Sequence, residues 1–381
     1  MPIKDKVVSF YVKNFLIPRA QCFDKPGFVY FNMSGKTPVF SRQVIMPETF
    51  LMLLEKNMAE RYGDDGRRAL YSAGKKFGYR FAIMGGFSTK KELPKNTFLD
   101  NFEAVNKFIE GTYASEITQK PDLDNNVVEY QLKNFVVCSS LGHGYFLPLG
   151  AAAGLISRMF EASNVEGIHL MCQGKGDAFC KIVYAPKEYL EKKYKNYKFF
   201  LETDLSGLEL EPEYISLNRI QEIKNSTQSF KSFLDGHFFN YKEGIITRND
   251  QRYFILEVSA IYLLERELEK NKETEKLLFD CAFETGQLML KNIGLEFNLE
   301  SITGLLTAFG LGDVLILKKE KKYVINIDFF PYSKFFKDVN FTFFNGILSG
   351  MISMVEKEKV TFSKVDSTTL NGRLNLSFFQ S

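Results

Sequence analysis

The sequence predicts an α+β fold: antiparallel strands with packed helices, in two tandem copies of one module that pair as an intramolecular pseudo-dimer. Three observations predict it. Segments with apolar residues at three and four spacing alternate with segments rich in Val, Ile, Phe and Tyr that turn residues interrupt. Two stretches, "PLGAAAGLISRMFE" from Pro148 and "FNGILSGMISMVEK" from Phe344, share a G-x-x-x-G helix that runs on into Ile-Ser. Gly150, Gly154, Ile156 and Ser157 match Gly346, Gly350, Ile352 and Ser353 at one offset of 196 residues, which also sets Gly176 on Gly372.

Each copy opens with a strand or hairpin, "GFVYFNMSGKTPVFSRQ" and "FNYKEGIITRNDQRYFIL". Next comes a long helix, and "SRQVIMPETFLMLLEKNM" from Ser41 resembles "QRYFILEVSAIYLLEREL" from Gln251, aligning Leu53-Leu54-Glu55 with Leu263-Leu264-Glu265. Further along, "YSAGKKFG" from Tyr71 aligns with "FETGQLML" from Phe283. A shorter helix and a hairpin follow, "FLDNFEAVNKFIEG" with "NNVVEYQLKNFVVCSS" and "LESITGLLTAF" with "DVLILKKEKKYVINIDFF". The small-residue helix and a last hairpin close each copy. These limits give an N-terminal extension over 1–25, a first module over 26–190, a linker over 191–235 and a second module over 236–381.

Composition narrows the function. Net charge is +3 from 49 basic and 46 acidic residues, so no basic footprint for nucleic acid is expected. The runs "EKKYKNYK" and "KKEKK" read as solvated surface. Charges interrupt every apolar run of "MPIKDKVVSFYVKNF", and "GHGYFLPLGAAAGLIS" is too short and glycine-rich to span a bilayer, so a cytoplasmic chain without a membrane span is expected. Five scattered cysteines do not form a secreted disulfide framework. No Ser-His-Asp set, paired carboxylates or nucleotide fingerprint is present, which points away from an enzyme. The glycines of the small-residue helix read as close packing. Phe is abundant at 38 residues, and Phe77, Tyr79, Phe81, Phe98, Phe102 and Phe108 read as ordinary core or as the lining of an apolar pocket.

The densest chemistry lies in "HLMCQGKGDAFCKIVY", where His169, Cys172 and Cys180 fall within twelve positions. Gly174-Lys175-Gly176-Asp177 reads as a turn, with the two cysteines on facing strands beside it. The residues fit a metal site, a redox pair or a sulfur-rich buried hairpin. Thiolate and imidazole suit Zn²⁺. Strand alternation puts His169 and Cys172 on opposite faces, so both can ligate only if a bulge intervenes. A fourth ligand must come from elsewhere, and Cys138 and His143 are the nearby candidates. Nothing in the pattern marks the helix N-terminus that would activate a thiol for redox work.

The succession of a G-x-x-x-G helix, the C-x-G-x-G-x-x-x-C hairpin and "IVYAPKEYL" resembles the 4-vinyl reductase domain family, also called the hydrocarbon-binding family. The resemblance is strongest over 130–190, fainter over 27–190, and recurs over 236–381. The family is related in fold to one class of TRAPP vesicle-tethering subunits, and it supplies the sensor domain of phenol-responsive activators. In the sensor members a Cys at the start of the small-residue helix, a Glu and two further Cys bind zinc. By this resemblance Cys172 and Cys180 are ligands and His169 stands in for the glutamate, whereas Tyr145 occupies the first cysteine's place and leaves the fourth ligand to His143 or Cys138. The second copy carries Val365, Thr368 and Leu376 at these positions and is expected to hold no metal.

The resemblance implies one structural zinc in the first module and a binding or sensing protein for a small hydrophobic or aromatic ligand, acting through a protein partner or a homodimer. Two alternatives remain: a TRAPP-like interaction scaffold, and an enzyme or accessory of tetrapyrrole metabolism.

Overall fold

The computed structural model describes residues 21–32, 40–138, 145–197, 203–205, 208, 223–242, 245–294, 298–320, 322–332, 336, 338–370 and 373–380. The N-terminal extension as far as residue 20, residues 198–202, 206–207 and 209–222 of the expected linker, and His143 lie outside them.

The first copy begins with strands β1 (Gln21–Lys25), β2 (Phe28–Asn32) and β3 (Phe40–Pro47). Helix α1 (Glu48–Met84) and helix α2 (Lys95–Tyr113) follow. Then come β4 (Glu116–Asp122), β5 (Val127–Lys133), α3 (Phe146–Phe160), β6 (Val165–Met171) and β7 (Cys180–Pro186). Short helices α4 (Lys187–Lys193) and α5 (Phe230–Asp235) flank the intervening segment. The second copy repeats the order with β8 (Asn240–Lys242), β9 (Ile245–Arg248) and β10 (Gln251–Glu257), then α6 (Val258–Leu268), α7 (Lys272–Ile293) and α8 (Leu299–Ala308). It ends with β11 (Asp313–Lys319), β12 (Lys322–Asp328), α9 (Thr342–Glu356), β13 (Phe362–Leu370) and β14 (Arg373–Gln380).

All paired strands described are antiparallel. Two four-stranded sheets have the same topology, β4-β5-β7-β6 and β11-β12-β14-β13, and a six-stranded sheet runs β1-β2-β3-β10-β9-β8. This is the α+β class expected from the sequence, with two similar sheet–helix modules in tandem. By contacts the described residues fall into one unit drawn from 55–208 with 242 and 245, and another drawn from 21–54, 223–241 and 246–380. Among the described residues no helix is long and apolar enough to cross a membrane.

Equivalent residues meet where β3 pairs with β10. Ile45 lies opposite Ile255, 210 positions on, and the same offset relates Glu55 to Glu265. The two copies diverge just beyond. In the first copy α1 kinks at Gly63, with φ 54° and ψ −126°. In the second the chain breaks between α6 and α7, and Asn271 caps the new helix by accepting from the Glu273 N–H at 2.8 Å.

Small residues let helices cross closely. A Cβ on Gly150 would collide with the Tyr71 carbonyl oxygen, and one on Gly154 with that of Lys75. In the second copy a Cβ on Gly346 would lie 2.7 Å from the Phe279 oxygen, and one on Gly350 would strike that of Phe283. These crossings give a register that differs from the sequence alignment. Tyr71 corresponds to Phe279 and Lys75 to Phe283, one turn earlier than pairing Tyr71 with Phe283. A slip of four residues keeps the same helical face, so apolar periodicity alone cannot detect it.

The aromatic residues divide between core and surface. Phe98 and Phe102 are fully buried and pack on Phe160, with ring centroids 5.8 and 5.5 Å away respectively. Phe77 and Phe81 are half-buried, 5.7 Å apart between centroids.

Candidate metal centre

Strands β6 and β7 carry the turn that the cysteines flank. Cys172 starts a short 3₁₀ turn, Gln173–Lys175, and Gly176 closes it at φ 94°, a conformation that suits glycine. The Lys175 N–H donates to the Cys172 carbonyl at 2.9 Å, and the Asp177 carboxylate accepts the Cys172 N–H at 2.7 Å. The Gln173 N–H points at the Cys180 sulfur, 3.4 Å away. The Cys138 sulfur and this bond pull the Cys180 thiol down, but the Cys172 sulfur and burial outweigh them and push it up to about 11.

The bulge required by strand alternation is present. On β6, His169 pairs with Ile182 while Met171 pairs with Lys181, so Leu170 is the extra residue. The bulge turns His169 toward the side on which Cys172 lies. The corresponding stretch of the second copy has no such irregularity: Val365, Asp366 and Ser367 pair in even register with Phe378, Ser377 and Leu376.

Cys138 approaches from a separate loop. Asn134 and Val137 both take positive φ, 48° and 73°, which folds the chain back after β5. The Asn134 N–H donates to the Gln173 side-chain oxygen at 2.7 Å, tying this loop to the turn after Cys172. Tyr145, where the sensor pattern has its first cysteine, is buried and donates its hydroxyl to the Val137 carbonyl. It therefore steadies the peptide beside Cys138.

The result is one group. The ligating atoms of Cys138, His169, Cys172 and Cys180 all lie within 4.8 Å of one another. All three thiols are buried. His169 Nε2 is buried and finds no hydrogen-bond partner among the described residues. Burial also holds the His169 imidazole below its ordinary pKa, and so neutral, with a lone pair to offer. Hydrogen bonds from the Cys138 and Cys180 thiols hold Cys172 well below the usual thiol range, whereas burial pushes the Cys138 thiol up.

This donor set fits a tetrahedral ion. Ligands at roughly 2.0–2.3 Å from a shared centre stand about 3.3–3.8 Å apart, within small side-chain rotations of the arrangement described. Four protein donors would leave no open position for water, which is the pattern of a structural site. The sequence reading left Cys138 and His143 open as the fourth donor, and the described residues bring Cys138 to the group.

A second buried network, unforeseen in the sequence, lies at the other end of β6. Glu166 accepts from Lys75 Nζ and from the Tyr71 hydroxyl, each at 2.6 Å. Lys75 also reaches the Ser163 carbonyl at 3.1 Å, and the Tyr71 oxygen accepts the Gly167 N–H at 2.9 Å. Lys75 and Glu166 side chains are 1% and 3% exposed, so the pair is shut away from water.

No family model and no curated protein matches the chain. Among solved structures, one similar chain is the phenol-responsive sensory domain of the transcription activator PoxR with phenol. It is 16% identical over 49% of this chain and 92% of its own, with a TM-score of 0.33.

Proposed function

We propose that this chain is a non-catalytic binding protein whose first module is closed by one structural zinc ion. The observation that carries the reading is the buried group of three thiols and one imidazole within 4.8 Å, its Nε2 finding no hydrogen-bond partner among the described residues. Sulfur and nitrogen donors in this number favour zinc over hard cations such as magnesium or calcium. The ligand class, a small hydrophobic or aromatic molecule, and action through a protein partner rest on the motif resemblance to the hydrocarbon-binding family.

A scaffold reading is favoured by a different observation. Phe98, Phe102 and Phe160 fill the first module's interior with ring-to-ring contacts, so these aromatics serve as core. In a scaffold the modules would recruit partners without holding a small molecule.

Elemental analysis of chain purified without chelator tests the zinc reading, with Cys172→Ser and Cys180→Ser beside it. About one zinc per chain, lost in both variants, is the expected outcome. Zinc-free wild type would sink it. Calorimetric titration with phenol then separates sensor from scaffold, since a scaffold gives no heat of binding.

A further inference from the structure

The two copies differ at two places on the same strand, and the differences go together. In the first copy β6 carries Glu166 at its start and His169 with Cys172 at its end. Glu166 is held by Tyr71 and Lys75 from α1. In the second copy the helix-crossing register puts Phe279 and Phe283 in place of Tyr71 and Lys75. The 196-residue offset puts Phe362 in place of Glu166. That copy has neither the donor residues nor the bulge at the equivalent of Leu170. Buried polar network, donors and a bulge at this position are thus present in one copy and missing from the other, whose own irregularity lies earlier, between Phe362 and Lys364.

Packing alone does not explain the network. A buried ion pair contributes little net stability compared with apolar side chains of similar volume, because desolvating both charges offsets their attraction. The second copy has phenylalanines at these places in the same fold, Phe362 buried and Phe279 and Phe283 half-buried. What the network adds is direction. It holds the chain at the Ser163 carbonyl just before β6 and at the Glu166 carboxylate and Gly167 amide within it, three points within five residues. Strand β6 lies at the edge of its sheet, with only β7 as a ladder partner. An edge strand is held by ladder bonds on one side alone, and a slip of one residue would send each side chain to the opposite face. His169 would then leave the thiols.

We propose that Tyr71, Lys75 and Glu166 form a register lock that positions His169 in the metal centre of the first module. They touch no ion themselves and act through the backbone of β6. The inference rests on the metal reading above.

The test copies the second module into the first, as the triple variant Tyr71→Phe, Lys75→Phe and Glu166→Phe in the full chain. Zinc affinity is measured by chelator competition, the absorption of the cobalt(II)-loaded protein reports ligand identity, and thermal unfolding is followed without metal. The lock predicts an unfolding midpoint equal to or above wild type together with at least ~10-fold weaker zinc binding, the range seen when groups that orient a ligand are removed. It also predicts a cobalt spectrum altered toward that of His169→Ala. If the triple variant does not fold, Tyr71→Phe alone carries the test, since it removes only the hydroxyl that holds Gly167 and Glu166. Its expected result is a several-fold loss of zinc affinity. Zinc affinity and cobalt spectrum unchanged from wild type would overturn the lock while leaving the metal reading intact. A wild-type chain that binds neither ion would overturn both.

Discussion

Glu55 and Glu265 perform the same task at equivalent places in the two copies. Glu55 Oε1 accepts the Leu147 N–H at 2.8 Å, and Glu265 Oε1 accepts the Phe343 N–H at 2.8 Å. Leu147 and Phe343 are themselves 196 residues apart, in the first turns of α3 and α9. Each helix start thus has exposed N–H donors satisfied by a carboxylate buried in the same unit, where the helix dipole also favours negative charge.

This arrangement makes stability depend on pH. Burial pushes the Glu55 carboxyl up to about 7, against the pull of the Leu147 and Phe146 amides. Burial raises Glu265 as well. A carboxyl raised on folding takes up protons in the native state, so stability is greatest below the unfolded value and falls as pH rises through the folded one. Between about pH 4.5 and pH 7 the Glu55 contribution declines by roughly 2–3 kcal/mol. Urea unfolding at a series of pH values should show that decline, and Glu55→Gln should flatten it. An equal slope in both proteins would show that the proton is taken up elsewhere.

Under the zinc reading, metal removal should loosen the first module. Stripping zinc with a chelator, or replacing Cys138 with Ser, should lower the thermal midpoint by several degrees, corresponding to about 1–3 kcal/mol at this size. Differential scanning calorimetry with and without zinc readdition checks this. Restoration by zinc in wild type but not in Cys138→Ser is the expected pattern.

Tyr145→Phe should weaken the same site indirectly. It removes the hydroxyl that holds the Val137 carbonyl next to Cys138 and leaves the ring in place. A loss of about 0.5–1.5 kcal/mol of stability is expected, the usual worth of one such bond. Zinc competition should register weaker binding as well.

Gly154→Ala and Gly350→Ala should each destabilise by about 1–3 kcal/mol or more, because the added methyl runs into a helix backbone that must shift bodily. Chemical denaturation of the two single variants checks the magnitude. Similar losses in the two would confirm that the crossings are equivalent.

The repeat, the small-residue helices and the cysteine hairpin were legible in the sequence because each is a local pattern with strong spacing. Alternation of side chains identified a bulge as the condition for His169 to join Cys172, without showing whether the chain makes one. The Tyr71–Lys75–Glu166 network was not legible. Tyr71 and Lys75 sit in a helix where a tyrosine and a lysine pass for partly exposed residues, and their partner lies 91 to 95 residues downstream. The alignment of Tyr71 with Phe283 failed for a related reason: one helical turn changes neither the face nor the periodicity, and only the glycine crossings fix the register.

The Ile45–Ile255 pairing puts a residue opposite its own counterpart in the same polypeptide. In an assembly of two identical chains, every substitution appears twice, and a change useful in one subunit must be tolerable in the other. A covalent repeat escapes that constraint. Its halves meet without dependence on protein concentration, and each accumulates changes separately. The first half could keep sulfur and imidazole while the second replaced them with Val365, Thr368 and Leu376. Under the zinc reading, such a chain takes up one ion where a symmetric pair would take two.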